Sequence, residues 1–507
     1  MESLMTTNDY DILIIGGGIN GCGIARDAAG RGYSVYLCEA DDLACGTSSQ
    51  STKLIHGGLR YLEHYEFRLV REALTEREVL WKVAPHIIHP MRFILPHHNG
   101  LRPAWLLRLG LFLYDYIGGR KKLSATRTVN LSKEEEGKPL SQNYSKGFEY
   151  SDCAVDDARL VVLNALDAAE RGAIINTRSK CVDMQRTEGH WSVTIEDQLN
   201  QKQTNITSKI IINASGPWAD HVLDTLHNTQ KNSNIRLVQG SHIIVPKIYD
   251  HDKCYIFQNA DDRIIFAIPY HDHFTLIGTT DHEYDGDPRK TKITQKEIDY
   301  LCESANVYFN NKITKNDIVG TFAGVRSLYN DGASKAQEAT RDYVLRIDKP
   351  SSKVAPIINV FGGKITTYRR LAESMLEKIE GLVKKQSDKN NGKWTETAHL
   401  PGGDFAINDF DKLCRNLKEE FDFLSAEHAK RYIKLYGTRA KRILQTSKSY
   451  KDLGKGFGHG LYQAEVEYLI NNEWAVTAED ILWRRTKLGL LFNKSQTSKL
   501  ENWLKTT

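Results

Sequence analysis

The spacing of apolar positions divides the chain into three segments. To about residue 230, short β-branched runs at residues 11–15, 34–37 and 210–213 alternate with stretches of helical periodicity, a pattern typical of an α/β fold. From about 236 to 360, apolar and polar residues alternate between turn signals, which predicts an antiparallel sheet. Beyond about residue 400, apolar residues recur every three or four positions without alternating strands, so we expect a small all-α domain.

Composition excludes several classes of protein. The 507 residues contain 68 Lys and Arg against 64 Asp and Glu, a net charge of +4, and this balance gives no general reason to expect a nucleic-acid partner. The eight cysteines form no C-x-x-C pair, so we expect free thiols in a reducing compartment and no metal site. The polar N-terminus lacks a secretion signal, and no apolar run of about 18 residues predicts a spanning helix.

A glycine-rich turn carries the strongest local signal. The apolar strand at 11–15 runs into G-x-G-x-x-G at Gly16, Gly18 and Gly21, and a second strand ends at Glu39. The glycines allow the backbone to approach a pyrophosphate at the following helix N-terminus, and the acidic side chain can bind an adenosine ribose. This motif predicts a dinucleotide site, but it does not by itself decide between NAD and FAD.

Further polar turns indicate a large buried ligand, and they favour FAD. Residues 46–61 form a run of small and polar side chains without helical or strand periodicity, which can supply hydroxyls and backbone N–H groups. A strand ends in a tight turn near Gly216, and Gly362, Gly363 and Lys364 precede a predicted helix start, which suits anionic groups.

Long motifs identify a family. The chain resembles the FAD-dependent respiratory glycerol-3-phosphate dehydrogenases, in their shorter bacterial form, over nearly its whole length. The strings that carry the resemblance include HGGLRYLEHYEFRLVREALTEREVL, NASGPWAD, GSHIIVP, FGGKITTYRRLAE and EWAVTAEDILWRRTKLGL.

The resemblance implies an α/β and α+β fold of the glycine and D-amino-acid oxidase type. A Rossmann-like FAD-binding domain near 10–62, 150–220 and 355–385 is then interleaved with an antiparallel-sheet substrate domain near 63–149 and 230–350, both within residues 1–395. Residues 396–507 form the C-terminal helical domain. The implied FAD-binding residues are Gly16, Gly18, Gly21, Glu39, Thr47, Ser48, Ser49, Cys181, Gly216, Gly362, Gly363, Lys364, Thr366 and Thr367.

The implied reaction is oxidation of sn-glycerol 3-phosphate to dihydroxyacetone phosphate by hydride transfer to FAD, with electrons passed to membrane quinone. A phosphate dianion calls for arginines, and Arg60, Arg326 and Arg341 lie in family motifs, with Tyr61 adding a hydroxyl. Because a histidine is a natural base for the C2 hydroxyl proton, His242 and His56 are both candidates, and the sequence does not choose between them. Lys364 can stabilise negative charge on reduced flavin, and Arg326 is counted with the catalytic residues.

Membrane contact has one candidate segment, residues 101–122, in which leucines and aromatics accompany cations. Such a segment suits shallow insertion at an anionic surface, although a buried helix with a basic end fits the pattern equally well. We expect a cytoplasmic protein peripherally attached to the inner face of the cell membrane, and the family resemblance is compatible with a homodimer.

Two other readings stay open at this stage. A flavin amine or amino-acid oxidase shares the fingerprint and the sheet, and a flavin-bearing redox sensor would need no turnover. The chain also departs from the family motifs at Ser327, where proline is usual, and at Gln239, where lysine is common; both put substrate affinity in doubt.

Overall fold

A computed structural model describes residues 8–119, 122–226, 234–261, 263–331, 342–349, 351, 354–385 and 392–506. In chain order, strands β1 to β20 are Asp9–Ile15, Val35–Cys38, Leu54–Ile55, Ile88–Pro96, Arg127–Asn130, Lys146–Val155, Ile174–Asn176, Ser179–Arg186, Trp191–Asp197, Gln203–Asn213, Ile235–Pro246, Cys254–Gln258, Ile264–Tyr270, Phe274–Gly278, His282–Glu283, Gly320–Tyr329, Val344–Asp348, Ile357–Phe361, Gly456–Gly458 and Leu461–Tyr462. Helices α1 to α12 are Ile19–Gly30, Phe67–Val83, Ala104–Ile117, Asp157–Glu170, Ala219–Asp224, Gln295–Tyr308, Tyr368–Glu380, Phe410–Glu420, Ala426–Tyr436, Ala440–Leu444, Gln463–Glu473 and Lys494–Leu504.

The first sheet is the predicted nucleotide-binding sheet. Its strand order is β17-β18-β10-β1-β2-β7, and the strands from β18 to β7 are parallel. Helices α1, α4 and α7 pack together against it and share one apolar core. The continuous apolar run Ile12 to Ile15 is buried, as expected for a parallel strand that is covered on both faces.

The second sheet is the predicted platform. Its order is β15-β11-β14-β13-β12-β4-β6-β3, with β16 beside β11 and β5 beside β6. These pairs are antiparallel except β4 with β12. Helix α6 packs on this sheet. The structure therefore confirms the fold class.

Sheet membership crosses the domain boundaries drawn from the sequence. Strands β3 and β6 pair with each other in the second sheet, although most of their residues fall in segments assigned to FAD binding. Strand β17 pairs with β18 at the edge of the first sheet, although it falls in a segment assigned to the substrate. Alternation along one strand shows which residues are buried, but it does not show which sheet the strand joins.

The C-terminal domain packs helices α8 to α12 around its own apolar core. The predicted helical domain is therefore confirmed, and it also contains the short hairpin of β19 and β20, which the sequence did not predict. A three-residue strand with glycines at both ends is too short to show alternation. Buried ion pairs join this domain to helix α4, among them Arg159 with Glu473 and Lys487 with Asp157.

Candidate active site

A cavity of about 1450 Å³ opens between the two sheets. This volume exceeds the roughly 300–1,000 Å³ usual for one small ligand, so it can hold a large cofactor together with a substrate. Its lining comes from the glycine-rich turn, the 46–61 loop, strands β11, β13 and β16, and the turn after β18. The sequence segments singled out for chemistry therefore meet in one place.

The glycine-rich turn has the geometry of a dinucleotide site. Gly16 has a φ of +113°, and a Cβ there would lie 2.6 Å from the carbonyl oxygen of Ala214, so only glycine fits. The Gly17 N–H donates to Glu39 Oε2 at 2.6 Å, and the N–H of Ile19, the first residue of α1, donates to Ser48 Oγ at 3.0 Å. A pyrophosphate in this cradle meets the positive end of α1.

Glu39 directly follows β2 and contacts the cradle through Gly17. Burial raises its pKa, while the N–H groups of Asp41 and Gly17, which donate to its two oxygens, oppose that rise. These two bonds hold the carboxylate in place, and a carboxylate at this position of the motif could accept hydrogen bonds from ribose hydroxyls.

Most residues predicted to bind FAD line the cavity, and their chemistry fits that cofactor. They are Gly16, Gly18, Glu39, Thr47, Ser48, Cys181, Gly216, Gly362, Gly363, Lys364 and Thr366.

Three predicted FAD residues lie outside the lining and have structural contacts instead. A Cβ on Gly21 would lie 1.9 Å from the Gly16 carbonyl oxygen, so this glycine allows α1 to pack on the turn. The Ser49 carbonyl accepts from Lys53 Nζ at 2.9 Å. The Thr367 N–H donates to the Lys364 carbonyl at the start of α7.

The two candidate bases line the same cavity. His242 is 1% exposed and stacks on Phe322 with ring centroids 4.6 Å apart. Its Nε2 lies 3.1 Å from Thr52 Oγ1, and its Nδ1 is buried without a hydrogen-bond partner among the described residues. The His56 ring is partly exposed and meets Phe266 edge-on at 6.3 Å.

Both histidines are held neutral. Burial lowers the pKa of His242 well below its usual value, and the nearby cations Lys53 and Arg326 lower it further. Burial also lowers the pKa of His56, although the Asp152 carboxylate opposes this effect. A neutral imidazole has a free lone pair and can accept a proton.

Three cationic side chains, Arg60, Arg326 and Lys364, line the same cavity, as does Tyr61. Arg326 Nη1 pairs with Asp281 Oδ1 at 2.8 Å. Lys364 Nζ lies 4.0 Å from the Tyr61 ring centre and, within the part of the chain that is described, is buried without a hydrogen-bond partner. An unpaired buried ammonium is costly, which makes this lysine a strong candidate to meet an anion.

Some predicted positions lie elsewhere. Arg341 falls outside the described residues, as do Arg120 and Lys121 of the candidate membrane segment. Gln239 is buried behind the lining, where its Nε2 donates to Glu297 Oε2 at 2.9 Å. The side chain points into the packing of α6, so the departure from the family's usual lysine at this position does not change the charge of the cavity lining.

Two contacts within the site were not predicted from the sequence. Thr52 was treated only as part of a polar loop, yet its hydroxyl lies 3.1 Å from His242 Nε2. Asp281 was not singled out as a site residue, and its pairing with Arg326 requires β14 and β16 to flank β11. Neither contact leaves a signal in local spacing.

Comparison with known proteins places this site in a family. Residues 11–353 match the model of FAD dependent oxidoreductases, and residues 393–505 match the C-terminal domain of alpha-glycerophosphate oxidase. The chain belongs to the FAD-dependent oxidoreductases.

Its relatives narrow the class further. A glycerol-3-phosphate dehydrogenase of Pseudomonas aeruginosa is 50% identical, with 98% of this chain and 95% of that protein covered. The aerobic glycerol-3-phosphate dehydrogenase of Escherichia coli is 47% identical, with 97% of each chain covered. A D-erythritol 1-phosphate dehydrogenase of Brucella abortus is 48% identical, with 97% of each chain covered.

A solved structure agrees with this placement. The glycerol-3-phosphate dehydrogenase of Bacillus halodurans complexed with FAD aligns with a TM-score of 0.76 at 26% identity, covering 99% of this chain and 95% of that one. Within the FAD-dependent oxidoreductases, the chain thus falls in the glycerol-3-phosphate dehydrogenase group.

Proposed function

We propose that the protein oxidises sn-glycerol 3-phosphate to dihydroxyacetone phosphate, and that electrons pass from FAD to membrane quinone in glycerol catabolism. The observation that carries this proposal is the cavity itself, which is lined by the dinucleotide cradle, by two histidines whose pKa values are lowered and by three cationic side chains. Relatives named for the same reaction over nearly the full chain support it.

The cationic side chains have two roles, phosphate binding and stabilisation of negative charge. Arg60 and Arg326 bind the substrate phosphate, because a guanidinium can donate two parallel hydrogen bonds to it, and Tyr61 adds a hydroxyl. Lys364, which follows the two glycines after β18 and lines the cavity with a buried, unpaired ammonium among the described residues, would stabilise the negative charge that bound FAD acquires on reduction. Arg341 is proposed as a further phosphate ligand from its motif alone.

His242 acts as the base. Its ring is neutral, and Thr52 fixes its orientation through Nε2. It would take the proton of the C2 hydroxyl as hydride leaves C2, and FAD bound in the cradle would supply the hydride acceptor. His56, which lines the same cavity, orients the substrate hydroxyl.

A spectrum tests the function. Purified protein without oxygen should show an oxidised flavin band that bleaches on addition of sn-glycerol 3-phosphate and persists with glycerol, which lacks the phosphate. D-erythritol 1-phosphate is the third substrate to add, because one close relative carries that name. A band that persists with sn-glycerol 3-phosphate contradicts the proposal, and preferential bleaching by D-erythritol 1-phosphate revises the substrate.

Helix α3 is the proposed site of membrane attachment. Trp105 is 70% exposed and Tyr116 59% exposed, and Leu109, Phe112 and Leu113 are also exposed on this helix. Of the helices described, none has the length and apolar character needed to cross a bilayer. We therefore propose peripheral attachment through α3 at the cytoplasmic face of the membrane, where quinone is available, with a homodimer as the expected assembly.

A further inference from the structure

The loop before β3 lies between His242 and the C-terminal domain. Thr52 Oγ1 touches His242 Nε2 at 3.1 Å. Its neighbours on both sides are held by one carboxylate, because Ser51 Oγ donates to Asp157 Oδ2 at 2.8 Å and Lys53 Nζ donates to the same oxygen at 2.9 Å. The position of Thr52 is thus set by Asp157, the first residue of α4.

The C-terminal domain supplies a second ion-pair partner for the Asp157 carboxylate. Lys487 Nζ lies 3.2 Å from Asp157 Oδ1, and both side chains are buried. Burial would raise the pKa of Asp157, but Lys53 and Lys487 together hold it well below its usual range. The carboxylate therefore stays charged and keeps its bonds to the loop.

Both lysines of this cluster adopt a backbone conformation that L-residues rarely use. Lys53 has a φ of +61° and Lys487 a φ of +58°. Such conformations cost energy and persist where surrounding contacts enforce them, often at functional sites. Here both residues place a buried ammonium group on the same carboxylate.

We propose that Lys487 is a positioning residue for catalysis, which acts through Asp157 and the 51–53 loop to hold Thr52 against the proposed base His242. This inference rests on the proposed role of His242. The C-terminal domain then contributes to catalysis, because its Lys487 begins a series of contacts that runs through Asp157 and the 51–53 loop to His242.

The charges around these groups set the direction of the pH effect. Lys53, Arg326 and Asp157 face His242, and Asp156, Tyr270 and Asp157 face Lys487. Removing Lys487 takes a cation from the cluster and leaves more of the Asp157 charge uncompensated. The pKa of His242 should therefore rise.

The experiment compares Lys487→Met with the wild type by anaerobic flavin reduction over a range of pH. We expect the limiting rate to fall by about tenfold, with the dissociation constant for sn-glycerol 3-phosphate unchanged within about twofold, because the phosphate ligands are untouched. The acid limb of the rate profile should move up by about half a pH unit. Lys487→Arg keeps the charge and should restore the acid limb.

The same helix offers a matched control. Arg439 of the C-terminal domain pairs with Glu170 at the far end of α4, with both bonds at 2.6 Å. A 14-residue helix is about 20 Å long, so Arg439→Met weakens the same domain interface far from His242. We expect it to leave the limiting rate and the pH profile unchanged.

The outcomes separate this inference from the role of His242. One outcome is that His242→Ala reduces flavin slowly while Lys487→Met has the same rate and pH profile as Arg439→Met. In that case the positioning role of Lys487 is wrong, and the assignment of His242 as the base is retained. If His242→Ala reduces at the wild-type rate, the base is wrong and the inference fails with it. Should Lys487→Met not fold, Ser51→Ala removes one loop anchor without burying a charge; it should slow reduction at unchanged substrate affinity, and a wild-type rate overturns the proposal.

Discussion

His242 shows how one side chain is prepared for its role by its immediate neighbours. Phe322 covers one ring face, Thr52 contacts Nε2, and nearby cations disfavour a second proton. A histidine whose pKa lies well below neutrality stays unprotonated throughout the physiological pH range. It is also a weaker base, so it accepts the substrate proton less readily. The closeness of Lys53 and Arg326 therefore affects both the fraction of active enzyme and the rate of each turnover.

The rate of flavin reduction should be nearly independent of pH as the pH falls through 6.5. Since the pKa of His242 is lowered, the ring is still neutral there, and rate is lost only at more acidic pH. Stopped-flow reduction with sn-glycerol 3-phosphate from pH 5 to 9 measures this profile. His242→Ala should be about 10²- to 10⁴-fold slower, and His190→Ala, at an exposed turn, should match the wild type. A wild-type midpoint near 6.5 would show an unshifted base.

At this scale the sequence predicted residue types and motifs, but few of their contacts. Gly16, Glu39 and His242 were identified because turns, strand ends and motif strings mark them. Thr52 and Asp157 were not, because their importance depends on which residues from distant elements lie beside them. Asp157 meets Lys487 across 330 positions of sequence, and no periodicity records such a pairing.

Helix α3 faces two environments at once. Tyr114 points inward, where its hydroxyl donates to Asp152 Oδ2 at 2.8 Å and accepts from the Gly57 N–H at 2.8 Å. Trp105 and Phe112 point outward. One face of this helix is therefore buried, as one prediction had it, and the other is exposed, as the proposed membrane attachment requires. The helix contacts the loop that carries His56 through Tyr114 and Gly57.

Replacing Trp105 and Phe112 by serine should release the protein from vesicles that contain phosphatidylglycerol. Burial of aromatic side chains in the interface contributes about 25 cal/mol per Å², so loss of both should lower the bound fraction in co-sedimentation severalfold. Leu199→Ser with Val307→Ser removes two equally exposed apolar residues elsewhere and should bind like the wild type. Equal binding by both double variants would assign attachment to another surface.

For the molecule as a whole, ion pairs between domains are the main feature that the sequence did not show. The helical pattern beyond residue 400 predicted a separate domain, and its apolar core is indeed its own. Its charged residues, however, reach back into the nucleotide-binding half, where Arg485 pairs with Asp42 at 2.7 Å and Arg178 with Asp480 at 2.8 Å. Charged residues in helical patterns are ordinarily exposed to solvent. A prediction from sequence therefore places these residues at the surface rather than at a domain interface.

Asp480 gives this interface a pH dependence. Burial alone would raise its pKa, but Arg484 and Arg178 outweigh that effect and hold the pKa at about 2. A lowered pKa gives stability that is present above about pH 4 and is lost as the pH falls toward 2. The contribution at neutral pH is about 2 kcal/mol.

Asp480→Asn should therefore have a lower Tm than the wild type at pH 7, and this difference in Tm should disappear at acidic pH. The difference in Tm from the wild type, measured by calorimetry at pH 7, 5, 4 and 3, should narrow below about pH 4. Asp285→Asn, at an exposed position, is the control and should follow the wild type throughout. A difference that stays constant with pH would mean that the carboxylate charge is not what joins the domains.

The late position of Lys487 has a consequence for biosynthesis. Domains of a nascent chain fold as they leave the ribosome, the N-terminal part first. The 51–53 loop emerges early, whereas Lys487, which completes its contacts, is made 330 residues after its partner Asp157. A nascent chain can thus already have its dinucleotide cradle while its base is not yet fixed in place, so that the competence to bind cofactor precedes the competence to turn over.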